Sequence, residues 1–302
     1  MPQECLPGRE RAQDALEDQL QKIAINLEGV RQCDLESIHD MRVASRRLRT
    51  LLKIYKPYLD KAARKTLNQG ARTIGRALGR RRELDVMVAM LNDHRDEAHG
   101  LWLRFMDHMI TVLVGRQERE SRSCLEAVTC YESEAMQQAR EAMVTSLNTN
   151  DACIVPLSAD TLLDGLYEVQ FARKVWKKEG GAEELHEVRI ALKRFRYRCE
   201  FHKEIYGEPM EIYILRLKEA QSMLGEWNEC RLLEEMVLIL GNAADYDLAQ
   251  GAPLVAEAYG ERAAVLEDNV AVLLSALFCR AGRQAFEMLV DNAVLECDCE
   301  VA

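Results

Sequence analysis

Residues 39–56 read HDMRVASRRLRTLLKIYK. At 100° per residue, His39, Arg42, Arg46, Arg49, Lys53 and Lys56 fall in a band about 100° wide, with Met41, Leu48, Leu51, Leu52 and Tyr55 on the other side. No proline or glycine interrupts the run before Pro57. The spacing predicts an amphipathic helix with one face built for a core and the other carrying cations every three or four residues. Arg47 points off this row and reads as a flanking charge.

The arrangement returns at residues 186–203, HEVRIALKRFRYRCEFHK. His186, Arg189, Lys193, Arg196 and Lys203 repeat the stripe, and Arg194 takes the place of Arg47. The shared pattern is H-x-x-R-x-x-x-[RK]-R-x-R, and its two copies lie 147 residues apart. One basic helix face is ordinarily a solvated surface. Two copies with the same internal spacing indicate a duplicated chain.

The chain has 302 residues, enough for one large core or two modest ones. Only six prolines and sixteen glycines occur, aromatics are sparse, and no long alternating segment argues for strands. Helical periodicity marks 9–32, then a short connection at Cys33–Ser37 in which Asp34 or Ser37 caps the basic helix. A basic stretch follows at 59–76, and Gly75 with Gly79 signals a close approach or a break before 84–91. Further helices are expected at 101–114 and 118–144. Asn148–Ala159, with its Asn/Asp cluster and Pro156, is the candidate boundary, and Ser158 or Asp160 caps the next helix. Gly180-Gly181 ends that helix; others are expected at 210–224, 227–241, 254–274 and 277–289. The expected fold is all-α, with about ten helices in two similar four-helix-bundle-like halves, residues 1–150 and 151–302, plus additional helices.

The N-terminal residues lack the apolar core of a signal peptide and no window approaches a membrane span, so a cytoplasmic protein with no membrane partner is expected. The ten scattered cysteines then read as reduced thiols, several of them core-filling. Cys297-x-Cys299 has no matching pair of metal ligands nearby, and no cofactor is expected.

Net charge is −10, yet residues 42–82 carry fourteen Arg or Lys against Asp60 alone, a local +13 that leaves −23 on the rest. Such segregation is costly by self-repulsion, and a concentrated anion is its natural complement. The second copy is weaker: residues 189–218 hold eight Arg or Lys against four Glu, a balance of +4. Unequal binding by the two halves follows, with the first leading.

HDMRVASRRLR and HEVRIALKRFRY resemble the two signature segments of the conserved histidine α-helical domain (CHAD) family. LGRRRELDV at 78–86 and LGEWNECRLL at 224–233 resemble the segments that follow them, with the two Leu-Gly pairs 146 residues apart. The resemblance extends over most of 10–290. It implies two helical bundles related by pseudo-two-fold symmetry, with basic helices facing a central groove that binds inorganic polyphosphate, and association with polyphosphate granules. It places the signature positions on His39, Arg42, Arg46, Arg49, His186, Arg189, Lys193 and Arg196, and further groove cations on Lys53, Lys65, Arg72, Arg76 and Arg82. Glu83 and Glu229 depart from the aspartate common in the family. Some members of the family are fused to a triphosphate-tunnel catalytic domain; the E-x-E-x-K segment of those enzymes does not occur in this sequence, and no fused catalytic domain is expected.

Arginine suits phosphate because its planar fork donates two parallel hydrogen bonds without losing its proton. Cations at i, i+3/i+4 stand roughly 5–6 Å apart and can track a linear chain. His39 and His186 either donate to phosphate or orient their neighbours, and Asp85, three residues after Arg82, either holds an arginine in place or forms an ordinary surface ion pair. Three alternatives compete with non-catalytic polyphosphate binding. A metal phosphohydrolase could draw on His39-Asp40, Asp93, His94 and His99, but these lack a closed ligand spacing. A nucleic-acid module lacks interleaved aromatics for base stacking. A structural scaffold would use the acidic exterior to recruit a protein. Other polyanions remain alternative partners.

Overall fold

In the computed structural model, residues 7–145 and 152–297 are described. The expected boundary at Asn148–Ala159 lies outside them as far as Asp151, as does Cys299. Secondary structure among the described residues is helical apart from one isolated antiparallel bridge between Pro7 and Cys153. Helix α1 spans Gly8–Ile25, α2 Leu27–Arg31, α3 Leu35–Ile54, α4 Lys61–Asp93, α5 Gly100–Glu132 and α6 Glu134–Thr145. Then come α7 Ile154–Glu179, α8 Ala182–Tyr206, α9 Glu208–Ala243, α10 Tyr246–Ala249, α11 Ala252–Leu277 and α12 Arg280–Leu295.

The two basic repeats are α3 and α8. Asp34 caps α3 by accepting from the Ser37 backbone N–H at 2.8 Å, and Asp60 caps α4 from Ala63 N–H at 2.7 Å. Gly180 and Gly181 adopt φ of +70° and +94°, which separates α7 from α8 at a conformation L-residues resist. The apolar faces enter one continuous core: Met41, Leu48 and Leu51 of α3 and Val188, Leu192 and Phe195 of α8 are fully buried.

Neighbouring helices pack in the same succession in both parts of the chain. α1 packs on α3, α3 on α4 and α4 on α5; α7 packs on α8, α8 on α9 and α9 on α11. Between these sets α3 meets α8, α4 meets α9 and α5 meets α11. The ring of Tyr55 lies 6.1 Å from that of His202, the residue 147 positions later.

Several expected boundaries move. The first helix is interrupted at Asn26, and the 101–144 region breaks at Ser133. Leu78-Gly79 and Leu224-Gly225 are mid-helix positions, because α4 and α9 run unbroken for 33 and 36 residues. One glycine costs a helix only about 1 kcal/mol, which packing on both sides readily offsets. Of the two outcomes open for Gly75 and Gly79, close approach holds at Gly75, where a Cβ would stand 3.3 Å from Ser45 Oγ; at Gly79 it would make an ordinary contact, 3.7 Å from Arg42 Nε. α7 starts at Ile154, with Pro156 tolerated in its first turn. Ser158 is therefore inside the helix, buried and bonded to Tyr206 Oη at 2.7 Å, not its cap.

Candidate functional site

Where α3 meets α8, with α4 and α9 as flanking walls, the protein has a cleft of about 910 Å³. Of the thirteen cations and histidines expected at the groove, nine line it: His39, Arg42, Arg46, Arg49 and Lys53 from α3, Arg82 from α4, and His186, Arg189 and Lys193 from α8. Lys56, Arg64, Arg194 and Arg198, which were not among those thirteen, line it as well. Arg72 and Arg76 stand exposed outside the lining set, close enough to Arg49 to depress its proton affinity after burial has done so. Lys65 is exposed and also outside the lining set.

Arg196 is not in the lining set either. Its Nε donates to Gln221 Oε1 at 2.6 Å, its Nη1 pairs with Glu200, and its guanidinium lies 4.7 Å from the Tyr197 ring centre. Arg47, expected as a flanking charge, joins α3 to α8: it pairs with Glu200 at 2.6 Å and lies over the rings of Tyr197 and Phe201. Glu200 thus gathers one arginine from each basic helix. Periodicity could not show this, because it depends on which helices meet.

Most of the other cleft cations lack an ion pair; Arg198, also in the lining, has Glu168 at 2.9 Å. Among the described residues, the side chains of Arg42, Arg46, Arg49, Arg82, Arg189 and Lys193 form no ion pair, unlike Lys53, which has Glu168 at 3.8 Å. Arg42 Nε and Arg189 Nε, 147 positions apart, are buried without a hydrogen-bond partner. The electrostatic consequences match. Burial, followed by Arg46 and offset by Glu83, lowers Arg42 to about 10. Burial, then Arg189, Arg46 and Arg42, lowers Lys193 to about 6. Arg189 is lowered by burial and Arg46, and His39 by partial burial and Arg82. Such a group of charges, half out of water and mutually repelling, is relieved by any anion that enters.

His186 has a defined partner: its Nδ1 lies 2.9 Å from Asn228 Oδ1, in a wall position where α4 presents Arg82 to His39. Glu83 and Glu229 also line the cleft; burial raises Glu229, with Arg189 and Arg82 pulling it back. Asp85 does not serve Arg82. It is buried, and its Oδ1 takes Arg81 Nε at 2.8 Å and Gln117 of α5 at 2.9 Å. His94 lies away from the cleft lining, bonded to Tyr259 and Arg262, and His99 precedes α5. Among the described residues no group of three or more His, Cys, Asp or Glu is placed to hold a metal ion, and no helix is long and apolar enough to cross a membrane.

Fold and cleft together define an all-helical bundle protein with a concentrated cationic basin. The chain belongs to the CHAD domain family, whose profile matches residues 14–238. The CHAD domain from the plant Ricinus communis is similar in structure, with a TM-score of 0.63 at 20% identity over 96% of this chain and 94% of that one. PptA from Streptomyces chartreusis is similar with a TM-score of 0.67 at 13% identity, over 89% of this chain and all of that one. No curated protein sequence matches the chain.

Proposed function

We propose that this protein binds inorganic polyphosphate in the α3–α8 cleft and does not cleave it. The observation that carries the reading is the excess of cleft cations over Glu83 and Glu229, including two buried guanidinium nitrogens with no hydrogen-bond partner among the described residues. Membership of the CHAD family supports a polyphosphate-related role. A linear chain of phosphates supplies closely spaced charge and acceptor oxygens, the complement of guanidinium forks repeating along two facing helices. His39, Arg42, Arg46, Arg49, Lys53, Arg82, His186, Arg189 and Lys193 are the contacts we assign. Lys65, Arg72 and Arg76 extend the field beyond the cleft, and Arg196 holds the α8 wall in shape.

We read the chain as two duplicated halves, 1–150 and 151–302, related by a pseudo-two-fold axis between α3 and α8. Elements at matching places in the two halves meet one another, and Tyr55 and His202, matching residues, touch; near a two-fold axis related groups must do so. Function in the cytoplasm, with association to polyphosphate granules, belongs to the same proposal.

Competition tests it. Labelled long-chain polyphosphate is bound to the protein and challenged with RNA at equal phosphate concentration. The expected result is retention of polyphosphate, with no orthophosphate released in the presence of magnesium or manganese. Displacement by RNA would favour a nucleic-acid module. Orthophosphate release abolished by substitutions at His39 or Asp93 would favour a hydrolase.

A further inference from the structure

We propose that the cleft takes up a proton together with its anion and that Lys193 is the group that holds it, an inference resting on the reading of the cleft as a polyphosphate site. The first observation is a difference between the two repeats. At the third signature place α3 carries Arg46, whereas α8 carries Lys193. A guanidinium keeps its proton throughout the working range of pH; an ammonium in a poorly solvated, cationic site does not. One of two matching positions is thus permanently charged and the other can discharge.

The second observation is where Lys193 sits: half-buried in the cleft wall, in the same lining as Arg42, Arg46 and Arg189. Arg189 and Arg196 act on it from its own helix, and Arg42 and Arg46 from α3. From α9 comes Glu229, which lines the same cleft and interacts with Arg189, Arg82 and Lys193. Arg196 is already committed to Glu200 and Gln221, so its charge is fixed in place. Glu83 of α4 and Tyr197 of α8 bear on Arg42 and Arg189. Half-burial and then these cations push the ammonium down to about 6, so the cleft without its anion disfavours the charged amine.

A phosphate chain lying across Arg42, Arg46 and Arg189 reverses this environment. Its negative charge favours the ammonium, which can then donate to a phosphoryl oxygen. Binding and protonation are linked, so each strengthens the other by the same factor. Affinity therefore weakens as pH rises above about 6 and levels off once the bound lysine also loses its proton. The arginines contribute nothing to this slope, since none of them titrates in that range.

Calorimetric titration with one defined long-chain polyphosphate, at pH 8.5 in buffers of different ionisation enthalpy, measures the proton count directly. At that pH ordinary imidazoles are neutral and the chain's end groups are ionised. The expected uptake is about one proton per bound chain in the wild type and near zero per bound chain in Lys193→Arg, whatever the change in affinity. Binding by the wild type without uptake would overturn the proton coupling and leave the cleft reading intact. Equal uptake in both proteins would place the proton elsewhere, on His39 or His186, and overturn the assignment. No binding in any buffer would defeat the reading of the cleft and this inference with it. Should Lys193→Arg not fold, the wild-type pH profile decides. A loss approaching tenfold per pH unit between pH 7 and 9 supports the coupling, and a flat profile overturns it.

Discussion

His202 shows what a single residue can cost. It is buried to 1% exposure, both ring nitrogens lack hydrogen-bond partners among the described residues, and burial drives its pKa down to about 3. Unfolded, the imidazole titrates near 6.5. Between those values the unfolded chain binds more protons than the folded one, so stability falls as pH drops from about 6.5 towards about 3. His202→Phe should remove that acid limb and raise stability at pH 5 by about 1–3 kcal/mol, read from urea unfolding at pH 7 and pH 5. Lys193 acts in the same direction over a different window: its folded pKa of about 6 lies below the ordinary lysine value, so the ligand-free protein gains stability as pH rises from about 6. Lys193→Met should stabilise the ligand-free protein at pH 7 by about 1–3 kcal/mol while weakening polyphosphate binding. A stability loss on that substitution would mean that the ammonium is already paired. At this scale the sequence was informative about charge and silent about partners. The stripe identified most of the cleft cations, but nothing in the spacing of Arg198 shows that it is buried and pairs with Glu168 of α7 at 2.9 Å.

The helices were legible as periodic runs and less so at their ends. Glycine was over-read: α4 and α9 pass through Leu78-Gly79 and Leu224-Gly225 because burial along the helix outweighs one weak helix former. Gly79→Ala, with 3.7 Å to the nearest atom, should be neutral or stabilising by up to about 1 kcal/mol in thermal unfolding, without loss of binding. What joins α3 to α8 was hidden, because the Arg47–Glu200 pair spans 153 residues. Its side chains are only 25% and 11% exposed, so Arg47→Ala should cost about 1–3 kcal/mol in denaturant unfolding, more than a surface pair would. A double-mutant cycle with Glu200→Gln separates the pair from the ring contacts. The two basic helices are also unequal. Lys53 corresponds to Glu200, and Arg196 is occupied by Glu200 and Gln221, whereas Arg46 and Arg49 are uncommitted. Removing Arg46 and Arg49 together should therefore weaken polyphosphate binding more than removing Lys193 and Arg196; equal losses would contradict the asymmetry.

Across the whole molecule, a net charge of −10 coexists with a cationic cleft because +13 is concentrated in residues 42–82 and much of it faces one basin. The all-helical class and the family followed from the repeated pattern. The cleft walls did not, since Arg64, Asn228 and Gln221 enter them only through the way α4 and α9 pack. Bound polyphosphate should release counterions, so affinity falls steeply as salt rises. The central claim concerns the unpaired guanidiniums, and Arg46 and Arg189 supply one from each facing helix. The most direct measurement is the affinity for a defined long-chain polyphosphate, titrated at three salt concentrations for the wild type and for Arg46→Ala/Arg189→Ala. The account predicts a loss of about tenfold or more and a shallower salt slope in the double variant, with helical circular dichroism unchanged. Wild-type affinity and slope in a folded double variant would contradict it.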